Sequence, residues 1–350
     1  MKKSNYQQVE TSITSKLFGK LSNESDVIQY TLHNSVGSEF SVINYGATIT
    51  SLKIANKRSK IIDVVLGFET LEEYINSFDL PNAPYFGTTV GRYAGRINNA
   101  EFNLNGKLIS LNKNHGKHNL HGGNVGFSRK FWSLKSSSNG ENPSITFEYT
   151  SPNDEEYFPG ELKVQVTYTL TEKNELEVLY QAKSTQDTIV NLTQHSYFNL
   201  DGHSEDITKQ KLFVNSEKTL ETTIENIPTS NFLETVGSQF DFSLPKQCPT
   251  EIDNTFVLNE NSKEAAILFS MKNNLKMTVF TNQPAVHIYV GGNCFNQIKG
   301  KENANYHPLS GICFETQNFP DAPNHEHFPS AILKKDELYH HKTTYQFQTF

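Results

Sequence analysis

Residues 189–202, I-V-N-L-T-Q-H-S-Y-F-N-L-D-G, set one imidazole in the middle of a row of hydrogen-bonding side chains. With the two-residue period of a strand, Val190, Leu192, Phe198 and Leu200 point one way, with Gln194 and Ser196 among them; Asn191, Thr193, His195, Tyr197 and Asn199 point the other. Two later stretches repeat the pattern. In G-I-C-F-E-T-Q-N-F, Ile312 and Phe314 oppose Glu315 and Gln317, and in A-V-H-I-Y-V, Val286, Ile288 and Val290 oppose His287 and Tyr289. If the three strands share a sheet, His195 and Glu315 line one polar concavity. An imidazole and a carboxylate among amides, hydroxyls and a Tyr ring suit proton transfer on a polyhydroxylated substrate. An ordinary solvated strand face would also alternate, but such faces are rich in Lys, Glu and Thr. The first stretch carries Asn, Tyr and His with no charge on that face.

Other candidates are more local. Arg92 and Arg96 lie four apart in G-R-Y-A-G-R-I, where guanidinium donors suit sugar hydroxyls or phosphate. The phosphate-loop pattern G-x-x-x-x-G-K and the G-x-G-x-x-G fingerprint are both absent. His121 precedes Gly122-Gly123, where the backbone can bend sharply and admit a ligand closely. Asp253 could accept hydrogen bonds from vicinal hydroxyls or merely open a strand. His115, His118 and His121 have helical metal-ligand spacing, but Gly116, Asn119 and Gly122-Gly123 argue against a helix there, and no metal site is expected. His325, His327, His340 and His341 read as surface histidines.

The elements that must position these groups read as strands throughout. Segments 27–32 and 39–44 form a hairpin, with strands at 47–54 and 61–66. Asn105-Gly106 sits between alternating apolar positions, the strongest short hairpin signal in the chain. Segments 162–170 and 175–182 pair around T-E-K-N, and T-L-E-E-Y at 70–74 reads as one helical turn capped by Thr70. The Pro-containing loops at 80–85 and 319–323 are short and shape a pocket rather than link domains. With no internal repeat and no composition shift, the expectation is one all-β antiparallel sandwich over 17–350, preceded by a flexible leader over 1–16.

The 24 Phe and 15 Tyr supply a large core despite a mean hydropathy of -0.54. A formal charge of -7 argues against a nucleic-acid partner or an anionic membrane surface. No apolar stretch is long enough to span a bilayer, and no apolar run follows the two N-terminal lysines as a secretory signal would require. Cys248, Cys294 and Cys313 are widely spaced, which suits reduced thiols and a cytoplasmic location.

Six ordered motifs, N-Y-G-A-T-I-T-S-L, G-R-Y-A-G-R-I, N-L-H-G-G, N-L-T-Q-H-S-Y-F-N-L, I-D-N-T-F-V-L and E-T-Q-N-F-P-D-A, resemble the aldose 1-epimerase (galactose mutarotase) family. The resemblance implies a large antiparallel β-sandwich of the mutarotase type (a supersandwich), no cofactor, a free monosaccharide as substrate, and interconversion of its α and β anomers by a monomer or homodimer. It implies Glu315 as general base, His195 as general acid, His121 as their partner at the ring and anomeric oxygens, and Arg96 with Asp253 as the hydroxyl-binding pair. Two positions depart from the family pattern: Gly95 stands where Asn is common, and His287 where Gln is usual. Both are expected at sugar contacts, where they bear on sugar preference. The alternatives are a glycoside hydrolase using Asp253 and Glu315, and a non-catalytic sugar-binding module. A hexose-phosphate epimerase would need a second basic cluster, and none is visible beyond Arg92 and Arg96.

Overall fold

The computed structural model describes residues 11–56, 58–259, 264–291 and 298–350, so Cys294 lies outside the described residues. Nearly all of the regular structure is antiparallel strand. A five-stranded sheet opens the chain, in the order Ser12–Lys20, Asp26–His33, Glu39–Ile43, Thr48–Ala55, Ile61–Asp63. The expected leader is therefore too long, because Ser12 to Lys20 pair along the strand Asp26–His33. The backbone of 12–16 is held by ladder hydrogen bonds even though its side chains lack an apolar pattern.

A nine-stranded sheet, whose centre runs Leu162–Leu170, Glu175–Ser184, Tyr339–Thr349, Leu275–Thr281, backs a six-stranded one. The six-stranded sheet carries the chemistry. Its order is Tyr197–Phe198, Ile312–Gln317, Ala285–Val290, Ile252–Val257, Lys218–Thr222, Pro228–Glu234. The three stretches singled out by alternation thus do share one sheet. Val286, Ile288, Val290, Ile312, Phe314 and Phe256 turn inward, into a core cluster that also holds Val166, Val178, Leu268 and Val279 of the nine-stranded sheet. Asp253, Thr255, His287, Glu315 and Gln317 are left on the other face, beneath a pocket.

Residues 189–202 differ from a continuous strand. They make three short pairings instead: Thr188–Ile189 with Ile332–Leu333, Thr193–Gln194 with Thr89–Val90, and Tyr197–Phe198 with Ile312–Gln317. Most of the polar row serves the backbone of neighbouring segments. Asn191 donates to Ala94 and Asn318 carbonyls, Thr193 to Thr316, and Asn199 to Glu205 and Ser310. His195 alone of the row lines the pocket.

The local signals hold. Asn105 and Gly106 adopt φ of 52° and 78° between Glu101–Leu104 and Lys107–Ser110, the positive values that a tight two-residue hairpin turn needs. Thr70 caps the helix Leu71–Ser77 with a complete capping box through Glu73. The segment after that helix, from Phe78 to Tyr85, and Pro320 of the later Pro-containing loop form walls of the pocket. Cys248 and Cys313 are buried and carry no disulfide. No helix among the described residues is long and apolar enough to cross a membrane.

Candidate active site

The pocket encloses ≈ 360 Å³, at the small end of the about 300–1,000 Å³ typical of ligand sites. His195 and Glu315 stand at its floor, each side chain 4% exposed, with His195 Nε2 3.5 Å from Glu315 Oε1. The backbone of His195 is fixed on both sides: its N–H donates to Thr88 O, and its carbonyl accepts from Gly87 N–H. Glu315 is fixed by the ladder between Ile312–Gln317 and Ala285–Val290, in which it lies opposite His287.

His121 completes the floor from a different segment. Its φ of 52° aims the ring inward ahead of Gly122 and Gly123, and the ring packs edge-on to His195 at 5.5 Å and to Tyr85 at 5.0 Å. Gly95 N–H donates to His121 Nδ1 at 3.2 Å, so Nδ1 holds a lone pair and the neutral ring carries its proton on Nε2. Burial, then the neighbouring His195 and Arg96, hold the His121 pKa well below the ordinary imidazole range. His121 is therefore a neutral N–H donor.

That tautomer also bears on metal binding. Ligand atoms of His121, His195 and Glu315 lie within 4.8 Å of one another, a spacing that a cation could bridge. A ligating histidine donates its second N–H to a partner, whereas His121 Nδ1 accepts a hydrogen bond and has no lone pair left on Nε2. The donor set does not fit a resident metal.

Asp253 and Arg96 gather around His287, which lies across the ladder from Glu315. His287 Nε2 lies 2.8 Å from Asp253 Oδ1, and its Nδ1 lies 2.9 Å from Thr255 Oγ1. Both ring nitrogens are thus committed to protein partners. Asp253 Oδ2 accepts from Asn226 at 2.7 Å and sits 3.9 Å from the Arg96 guanidinium. Burial alone would lower the His287 pKa, but the hydrogen bond and charge of Asp253 outweigh it and hold it raised. Burial likewise opposes the Asp253 charge, yet His287 and Arg96 keep its pKa below the usual value.

Gly95 lines the pocket with backbone alone. At φ +79° a Cβ there would meet Pro320 at 3.1 Å, so the position orients His121 through its N–H and offers no side chain. Arg92 is not at the site. It is buried, donates to the carbonyls of Ser151, Pro152, Pro159 and Gly160, and burial pulls its pKa down to about 10. The histidine cluster also separates: His115 and His121 line the pocket, while His118 is buried with Nδ1 accepting from Asn99 N–H. His341, expected at the surface, is fully buried against Thr316 and Thr343.

Tyr85 and Asn226 are among the pocket residues that sequence reasoning passed over. Tyr85 lay inside a loop read as pocket-shaping, and its ring packs edge-on to His121 and tilted against His195, 5.8 Å from the latter. Asn226 sits in a polar turn with no pattern to distinguish it.

A large antiparallel sandwich with a buried imidazole and carboxylate in contact on one pocket-lined face is an arrangement suited to proton transfer on a small polyhydroxylated molecule, and comparison with known proteins places the chain in a family. The aldose 1-epimerase family model matches residues 29–346, and the chain belongs to that family. Galactose mutarotase of Sus scrofa is 37% identical over 347 residues, covering 96% of this chain and 98% of its own. Aldose 1-epimerase of Haemophilus influenzae is 34% identical, covering 91% and 95%. Among solved structures, galactose 1-epimerase from Lactobacillus acidophilus superposes with a TM-score of 0.84 at 27% identity, covering 97% of this chain and 99% of that one. The protein is an isomerase of the all-β mutarotase fold.

Proposed function

We propose that this chain interconverts the α and β anomers of free aldohexoses such as galactose and glucose, with Glu315 and His195 exchanging the two protons. An anomer change requires the C1 hydroxyl to lose a proton while the ring oxygen gains one, so that the C1–O5 bond opens to an aldehyde. Glu315 takes the hydroxyl proton and His195 Nε2–H supplies the other. Rotation about C1–C2 then presents the opposite carbonyl face, and reversed roles close the ring. Each transfer contributes about 10²–10⁴-fold. His121, neutral with its proton on Nε2, donates a hydrogen bond at the reacting oxygens and need not change charge. Arg96 and Asp253, the latter braced by His287, hold hydroxyls remote from C1. The transfers call on side chains of this chain and on no cofactor, in a soluble, cytoplasmic protein.

The observation that carries this reading is the 3.5 Å approach of His195 Nε2 to Glu315 Oε1 at the floor of a monosaccharide-sized pocket. A glycoside hydrolase would set a second carboxylate against Glu315. Asp253 is instead engaged by His287, Asn226 and Arg96, and an imidazole takes that place. Polarimetry of freshly dissolved α-glucose, α-galactose, xylose and arabinose tests the proposal. Mutarotation far above the uncatalysed rate is expected for at least one hexose, and a rate equal to buffer for all four would overturn it.

A further inference from the structure

Gln317 lies two residues beyond Glu315 on the strand Ile312–Gln317, on the same face of the sheet, and lines the pocket. It is 1% exposed, and its Oε1 has no hydrogen-bond partner among the described residues. Across the ladder it faces Ala285, whose small side chain leaves the amide room. Leu220 of the neighbouring wall offers no polar group in return. A buried acceptor left unpaired is unfavourable, and native structures rarely keep one without a bound group to satisfy it. The rest of the floor is hydrogen-bonded or ion-paired within the protein: His121 to Gly95, His195 beside Glu315, His287 to Thr255 and Asp253. Among the described pocket-lining side chains, Arg96 Nε is likewise buried without a partner, but Gln317 Oε1 is the unpaired acceptor, and it lies on the strand of Glu315, two residues away.

We propose that Gln317 is a sugar-binding residue, its amide oxygen accepting a hydrogen bond from a substrate hydroxyl one or two carbons from C1. The inference rests on the acid–base reading of Glu315 and His195. Side chains two apart on a strand are separated by about 6.5–7 Å, so a sugar with its C1 oxygen at Glu315 brings its C2 or C3 hydroxyl beneath Gln317. The bond selects for the presence of that hydroxyl, because an analogue lacking it leaves Oε1 orphaned in the complex as in the free protein.

The test compares wild type, Gln317→Met and Gln317→Asn on glucose, 2-deoxyglucose and 3-deoxyglucose by polarimetry, with thermal melts of each protein. Methionine fills the same volume without the unpaired acceptor, so Gln317→Met should melt at or above the wild-type temperature. Its KM for glucose should rise by about 2–13-fold, the value of one neutral hydrogen bond, and more than its kcat falls. One of the two deoxy sugars should show a similar loss with wild type and no further loss with Gln317→Met, the non-additivity expected of a direct contact. Gln317→Asn keeps the amide but withdraws it by one methylene, and should fall between. KM values within about twofold of wild type in both variants, or fully additive losses for both deoxy sugars, overturn the assignment and leave a water as the partner of Oε1. A lowered melting temperature in both variants with no change in KM makes Gln317 structural and also overturns it. Absence of catalysis by wild type on glucose is a separate result, which removes the acid–base reading itself.

Discussion

Replacing Glu315 by Gln keeps the shape of the carboxylate and most of its hydrogen bonds but removes its capacity to take a proton. In Glu315→Gln, kcat should fall by about 10²–10⁴-fold while sugar still binds, measured by coupled oxidation of β-glucose formed from α-glucose. His195→Asn should behave alike, and the double variant should be little worse than the worse single one, since the two groups serve one exchange. Near-wild-type kcat in folded Glu315→Gln would falsify the mechanism. The His287–Asp253 pair makes a separate prediction. The folded pKa of His287 is raised above its ordinary 6.5, so its contribution to stability is complete below that pH and is lost as pH rises through the raised value. The folded pKa of Asp253 lies below its ordinary 3.8, so its contribution is complete above that pH and lost as pH falls through the lowered value. Between these limits the pair contributes most. Wild type should therefore lose melting temperature above neutral pH more steeply than His287→Gln, and parallel slopes between about pH 6 and 9 would count against a charged pair. At this scale residue type and strand face singled out His195 and Glu315, whereas Asp253 was set apart only by the family resemblance. The sequence could not show that His287 spends both nitrogens on Thr255 and Asp253, because those partners come from a neighbouring strand far away in the chain.

Among the elements, the turn that carries His121 is the most constrained. Gly122 has φ +85°, and a Cβ there would stand 2.0 Å from the Gly91 carbonyl oxygen, so Gly122→Ala must move backbone. Strain of this kind costs about 1–3 kcal/mol, and because Gly122 adjoins His121 the displacement is passed to the ring. Urea unfolding should register the loss of stability, and polarimetry a fall in kcat larger than any change in KM. A variant with wild-type stability and rate would mean the turn relaxes without moving His121. Elements whose determinants are local were legible: the Asn105-Gly106 hairpin and the Thr70 cap depend on a few adjacent residues. Residues 189–202 were misread as one strand because alternation reports which side chains face alike and not which segment pairs with which. Their three partners come from residues 89–90, 312–313 and 332–333.

For the whole molecule, one buried ionic cluster ties the N-terminal sheet to the C-terminal half. Lys301 Nζ lies 2.7 Å from Asp63 Oδ2 and 2.6 Å from Thr50 O, and His203 Nε2 lies 3.6 Å from the same carboxylate oxygen. Burial alone would raise the Asp63 pKa, but Lys301 and His203 hold it far below the usual carboxylate range. Asp63→Asn leaves a buried ammonium without its counter-charge and should cost about 3–5 kcal/mol in urea unfolding near pH 7. The contribution of Asp63 is complete above its ordinary 3.8 and lost as pH falls towards its depressed folded value, so the gap between variant and wild type should close on acidification. A gap that persists unchanged at low pH would assign the effect to packing. The cluster had no sequence signal, since an isolated Asp, His and Lys at positions 63, 203 and 301 carry no pattern. What the sequence by itself determined was the strand periodicity, the tight turns, the aromatic core and the polar character of the site strands, all set by residue type and near-neighbour spacing. Only the tertiary structure decided which of those polar residues meet. Of the row at residues 191–199 it sent His195 alone into the pocket and gave Asn191, Thr193 and Asn199 to neighbouring backbone. It also withdrew Arg92 from the site and left Gln317 Oε1 without a partner among the described residues. The physical reason is that pairing between distant strands fixes where each side chain's hydrogen-bonding partner lies, and the one-dimensional pattern does not contain that pairing.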